Sequence, residues 1–229
     1  MQGIQVQQDA TNYLRFDLVR DGAGIRFFAA SFANNVPTIR ADVSVTVGAP
    51  VYLRVKRVGS QWTGSYSTNG TTWTQGVVFT QALTMSAIGP FAGNAGGTPP
   101  AFTSLVDYFF NTASPISPED PTGAPPPSGI VSDDFHTGAL NTSLWTAVNP
   151  RGDATFTLPG AGTANARLSI AVPAGVAHDV WTDGNNAPRV MQTVTNTDFE
   201  AEVKFDGTMT LEYQMQGIQV QQDATNYLR

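Results

Sequence analysis

The sequence predicts an all-β fold, a two-sheet antiparallel β-sandwich or jelly roll. Short apolar–polar alternations, Asp-Gly and Asn-Gly pairs between them, and the lack of any ten-residue helical stretch point to it. The composition agrees. Only 13% of the 229 residues are charged, and 37 glycines and prolines outnumber 30 charged side chains, as short strands joined by many turns require. A hydrophobic content of 41% is enough for a packed core, which excludes wholesale disorder.

The strands read in order. TNYLRFDLVR (11–20) alternates, with Leu14, Phe16 and Leu18 on one face and Arg15 and Asp17 on the other. GIRFFAASF, VYLRVKRV, SQWTGSYS and VDYFFNT follow as β-rich runs in the first half. ARLSIAV, RVMQTV, DFEAEVKF and MTLEYQMQGIQVQQ do the same in the second. Asp21-Gly22, Asn69-Gly70, Asp183-Gly184 and Asp206-Gly207 supply the tight turns.

Two features set the organisation. Residues 1–15, MQGIQVQQDATNYLR, recur letter for letter at 215–229, a period of 214 residues. Such identity implies either a window on an array of near-identical tandem repeats or a permuted chain built with a duplicated segment. Met215, the internal copy of Met1, favours the window. The second feature is PISPEDPTGAPPPS (115–128), whose six prolines fit neither sheet interior nor helix and make it a spacer. Residues 129–229 then form the N-terminal part of the sandwich and residues 1–114 its C-terminal part, met in permuted order. Two copies of one strand would compete for one place in the sheet.

The composition also excludes chemistry. There is no cysteine, hence no disulfide framework, thiolate metal site or cysteine nucleophile. His136 and His178 are the sole histidines, too few for a histidine-rich metal centre. A net charge of −6 without a Lys/Arg cluster argues against nucleic acid or an anionic membrane. No apolar run is long enough for a membrane helix. The serines lack a set of His and Asp partners, so an acyl-transfer triad is not expected.

The candidate site residues come from two stretches. If Asp206–Thr208 turn a hairpin in FEAEVKFDGTMTLEYQMQ, Phe205 faces Met209, Val203 faces Leu211 and Ala201 faces Tyr213, all on one apolar face. The other face then sets Glu202 opposite Glu212 and Glu200 opposite Gln214, with Gln216 beyond. Like charges across a ladder destabilise it, so three carboxylates there suggest use. They could accept hydrogen bonds from sugar hydroxyls, hold a Ca²⁺, or act as the glutamate pair of a retaining glycosidase, about 5–5.5 Å apart. The alternative is a solvated face with Lys204 as counter-ion. In WTDGNNAPRV, Trp181 with Asp183, Asn185 and Asn186 offers a flat apolar surface beside carboxylate and amides, a sugar-binding mixture. Its alternative is a Trp packing the sandwich edge while Asp and Asn make the turn.

Other motifs carry less. Arg151-Gly152-Asp153 spells an adhesion tripeptide that three letters produce easily by chance. The Gly-rich run 91–97 precedes Pro99-Pro100 and no helix, so it is not a phosphate cradle. Ser67-Thr68-Asn69-Gly70 with Trp73 reads as hairpin chemistry, the Trp covering the turn.

SDDFHTGALNTSLWTAVNP, WTDGNNAPRVMQ followed by FEAEVKF, YSTNGTTWTQ and the closing VDYFFNT together resemble the concanavalin-A-like lectin/glucanase superfamily. Within it they are similar to laminin-G-like, β-xylosidase-C-terminal-type domains of secreted multidomain proteins. The resemblance implies a jelly roll with a curved polar face, often carbohydrate-binding, on the cell surface or outside the cell. It does not imply catalysis. Laminarin-type hydrolases of the superfamily carry Glu-x-Asp-x-x-Glu on a strand, and FEAEVKF lacks that pattern. The expectation is therefore a lectin-like, non-enzymatic repeat without a cofactor other than an optional structural Ca²⁺. Its expected partners are a glycan and neighbouring copies of the same repeat, with assembly into a fibre or array as the structural alternative.

Overall fold

A computed structural model describes residues 2–9, 12–33, 36–117, 129–181 and 184–221. Two large sheets face each other, and among the described residues there is no helix. The first sheet holds, in spatial order, β10 (Thr146–Val148), β15 (Arg189–Thr193), β8 (Ala87–Asn94), β17 (Gln214–Gln221), β1 (Gln2–Asp9), β2 (Asn12–Asp21), β3 (Gly24–Ala33) and β4 (Val36–Val45). The second holds β11 (Thr155–Thr157), β12 (Leu168–Val172), β9 (Phe102–Asn111), β16 (Phe199–Phe205), β5 (Val51–Val58), β6 (Gln61–Ser67) and β7 (Thr74–Thr80). Pairing is antiparallel throughout both, except between β1 and β17. A small hairpin, β13 (Val180–Trp181) with β14 (Gly184–Asn185), stands apart.

The sequence halves interleave. Each sheet takes strands from both sides of the Pro-rich spacer, so neither half could bury its apolar face alone. The core between the sheets is filled from alternate positions, including Leu14, Phe16 and Leu18 of β2, Leu53 and Val55 of β5, and Ala201, Val203 and Phe205 of β16. Of the spacer, residues 118–128 lie outside the described residues. Its flanks meet: Ser132 Oγ donates to the Ser114 carbonyl at 2.7 Å, and Asn111 Nδ2 donates to the Ile130 carbonyl at 3.0 Å.

The opening motif of the second half is structural. Asp133 bridges to Phe109 of β9, while its carboxylate accepts from Trp145 Nε1 at 2.6 Å and from the Phe135 amide at 2.8 Å. Trp145 in turn meets the Phe109 ring edge-on at 5.4 Å. Burial pushes the Asp133 carboxyl above the usual carboxylate range, against the lowering effect of those two donors.

Two expected turns lie where the sequence puts them. Asp21-Gly22 joins β2 to β3 and Asn69-Gly70 lies between β6 and β7. The third, Asp183-Gly184, lies partly outside the described residues, with Gly184 the first residue of β14. Trp73 does cover its turn, donating from Nε1 to the Gly70 carbonyl.

The fourth expectation is overturned. Asp206-Gly207 does not close a hairpin, because β16 is a central strand whose two edges are taken by β5 and β9. The chain instead leaves the second sheet. The Asp206 amide bonds the Leu105 carbonyl, the Asp206 carboxylate pairs with Arg167 at 2.5 Å, and strand structure resumes at Gln214 in the opposite sheet. Gly207 packs so closely that a Cβ would lie 2.6 Å from Gln216 Oε1. Of the Gly-rich run 91–97, Phe91–Asn94 belong to β8, every residue of which is buried.

Candidate functional site

The lost hairpin dissolves the expected acidic face. Glu200, Glu202 and Lys204 do point away from the core, but on the second sheet. Glu212 is exposed in the loop that enters the first. Gln214 and Gln216 are buried and turn inward. Gln214 Oε1 accepts from the amides of Thr210 and Leu211 while its Nε2 donates to the Ala101 carbonyl, and Gln216 Nε2 donates to Gly207. These amides shape the crossover between sheets and do not extend a carboxylate face.

Counter-ions from β5 meet the two glutamates of β16. Arg54 Nε donates to Glu202 Oε2 at 2.7 Å and Tyr108 Oη donates to Glu202 Oε1 at 2.5 Å. Glu200 lies 3.5 Å from Lys56 Nζ and 3.8 Å from Arg54. The Arg54 guanidinium also lies 3.9 Å from the centre of the Trp73 ring. Lys204, expected to neutralise the glutamates, pairs instead with Asp107, as does Arg167. With both its oxygens engaged and Glu212 elsewhere, Glu202 is not one half of a glutamate pair.

The other expected stretch leads to a groove. Beyond the outer face of the first sheet, residues 178–181 and 184–187 pack as a partial third layer. Val180, Ala187 and Trp181 rest on Ala30, Phe32, Phe91 and Met215. The layer buries the polar side of β2. Arg15 and Asp17 are 1% and 0% exposed and form a bidentate pair at 2.9 and 2.7 Å. Arg15 also donates to the Val180 carbonyl at 2.6 Å and lies 3.9 Å from Asp179, holding the layer to the sheet. Burial raises the Asp17 carboxyl, opposed by the Arg15 charge.

At the edge of this layer runs an open groove of about 470 Å³, lined by Arg15, Val19, Asp21, Arg26, Phe28, Ile39, Asp42, Ala95, Gly96, Asp179, Trp181 and Tyr213. Trp181 is fixed by edge contacts with Phe28 and Phe32 at 6.1 and 5.7 Å, leaving part of its ring exposed. Tyr213 is 39% exposed although its backbone holds φ 63°, a conformation costly for a bulky residue. Two backbone bonds fix it there, from the Tyr213 amide to Arg20 and from the Ala95 amide to Tyr213. Its ring lies over Gly96, where a Cβ would come within 2.6 Å of the ring and where φ is +95°. A hydrogen bond to Glu212, together with that carboxylate's charge, raises the Tyr213 phenol above its ordinary range. On the far rim Arg26 holds Asp42 at 2.5 Å and Asp21 at 3.5 Å.

Two aromatic surfaces beside ion-paired carboxylates and guanidinium groups suit a polyhydroxylated ligand with apolar patches. Trp181 lies in the groove wall and Glu212 beside it. Asn185 lies beneath, buried, its Oδ1 accepting from Arg189 at 3.4 Å and its Nδ2 without a partner among the described residues. Asp183 lies outside the described residues. Arg15, Arg26, Phe28, Asp42, Asp179 and Tyr213 were missed. Alternation placed Arg15 only on the face opposite the apolar one, and nothing local marks a strained Tyr. Asp153 of the adhesion tripeptide holds His178 Nε2 at 2.8 Å.

A larger cleft of about 620 Å³ includes Lys56, Glu200, Asn111, Ala113 and Gly129 and opens where the spacer begins and ends. Among the described residues, Phe199 is its one aromatic residue. Among the described residues no cluster of three or more acids or histidines is placed to hold a metal, and no helix is long and apolar enough to cross a membrane. No protein-family model and no curated protein matches the chain.

Proposed function

We propose that the protein is a non-catalytic, lectin-like repeat of the concanavalin-A-like type, working outside the cell and binding carbohydrate in the Trp181–Tyr213 groove. The observation that carries this reading is the held exposure of Tyr213. A bulky residue kept at φ 63°, over a glycine that tolerates no side chain, spends conformational energy to present a ring beside Trp181. Sugar rings stack their C–H faces on such surfaces, and Asp21, Asp42, Asp179 and Arg26 supply partners for hydroxyls.

Glycan-array binding followed by titration calorimetry tests it. The parent is expected to retain at least one glycan, and Tyr213→Ala to weaken it by roughly two- to tenfold, from the loss of about 0.5–1.5 kcal/mol of stacking. Trp181→Ala should do the same, with its fold checked by thermal melting because Trp181 also packs on Phe28 and Phe32. Glu202→Gln should bind like the parent. No glycan retained at millimolar concentration, or binding lost with Glu202 and kept without Tyr213, overturns the proposal.

A further inference from the structure

We propose that the gap between β8 and β2 holds one strand at a time, and that the copy left out exchanges into the same gap of a second copy of this chain, displacing that copy's own strand. Pro90 of β8 faces Ile218 of β17 and also Ile4 of β1, and Ala87 faces both Gln221 and Gln7. These partners are the same residues of the 15-residue duplicate, 214 positions apart. The two copies also lie parallel with Gln2 beside Gln216, Ile4 beside Ile218 and Gln5 beside Gln219, each residue next to its own duplicate. The other edge of β8 is occupied by β15. One strand edge carries one row of N–H and C=O groups, and that row serves one neighbour at each position.

Each copy has a separate hold on the gap. β17 meets β8 over eight successive pairs and is anchored at its root by the bonds of Gln214 and Tyr213. β1 meets β2 as a hairpin from Gln2↔Leu18 to Asp9↔Asn12. Whichever copy yields is an unpaired strand, uncharged and free of proline from residue 2 to 8 or from 216 to 222. Such a strand adds readily to a matching sheet edge. The edge that matches it by sequence and register is the β8–β2 gap, which every copy of this chain carries. Exchange between chains breaks and remakes the same bonds, so concentration governs it.

Proline placed in one copy or in both provides the test, since it removes a ladder N–H. Val6→Pro alone and Val220→Pro alone are expected to melt within a few degrees of the parent, because the intact copy fills the gap. The double variant should melt lower by about 10 °C. A synthetic peptide with the sequence of residues 214–225 should raise the melting temperature of the double variant. In the parent, two preparations carrying different fluorophores should develop energy transfer on mixing, with a mass by light scattering that grows with concentration. Single variants that each fall as far as the double one would mean that both strands sit side by side in the sheet, which overturns the proposal. A parent that stays monomeric at every concentration and shows no energy transfer overturns it equally.

Discussion

Arg15 and Asp17 stand two residues apart on one strand and form a bidentate ion pair with essentially no solvent contact, roofed by the segment that carries Trp181. Removing one partner strands a buried charge, at a cost of about 3–5 kcal/mol, whereas replacing both with apolar groups of similar volume is close to neutral. Urea unfolding of Arg15→Met, Asp17→Leu and the double variant is expected to show two destabilised single variants and a double variant closer to the parent. A double variant as unstable as the sum of the singles would mean that the pair does not act as a unit.

Gly96 and Gly97 make a matched comparison. A side chain at Gly96 meets the Tyr213 ring and an unfavourable φ of +95°, while one at Gly97 meets nothing within 4 Å. Gly96→Ala should cost about 1–3 kcal/mol and displace Tyr213, detectable as a changed tyrosine fluorescence. Gly97→Ala should leave both unchanged.

Asp133 gives the stability a pH dependence. Its folded-state carboxyl is raised by burial, so its contribution is fully present below the unfolded value, about 3.9, and is lost as the pH rises through the folded value. In urea titrations the stability of the parent relative to Asp133→Asn should therefore decline as the pH rises through that window and level off above it. A difference that grew with pH would contradict the raised carboxyl.

The ion pairs across β5 and β16 separate the observed topology from the hairpin. A double-mutant cycle on Arg54, partly exposed, and Glu202, buried, 2.7 Å apart, should give a coupling of about 1 kcal/mol. The corresponding cycle on Glu202 and Glu212, cross-strand neighbours in the hairpin register, should give none.

Legibility in the sequence followed the range of the interaction. The alternation of Leu14, Phe16 and Leu18 and the turns at Asp21-Gly22 and Asn69-Gly70 are local, and the structure has them. Asp206-Gly207 carries the same turn letters and fails, because strand pairing is decided by which edges are vacant, a property of the sheet. Glu202 was rightly placed facing outward, but its partner proved to be Arg54, 148 residues away in sequence. Trp181 was singled out by type as a flat apolar surface, and the fold puts it in the wall of a groove that the sequence did not indicate. Tyr213 was assigned to the apolar face of a hairpin that does not form, and only the crossover between sheets brings it to the groove.

By itself the sequence determined the β class, the alternation that fills the core, and the presence of one segment twice. All of these are read from neighbours in the chain, where a period of two and the conformational limits of Gly and Pro act directly. Tertiary structure alone decided that β16 lies between two strands and that Arg15 and Asp17 lie under a third layer. It also decided that Trp181 and Tyr213 share a groove and that both copies of the duplicate register on β8. The physical reason is that burial and pairing belong to a surface shared by distant segments. A residue's own letters give its preference for such a surface but not which segment supplies it.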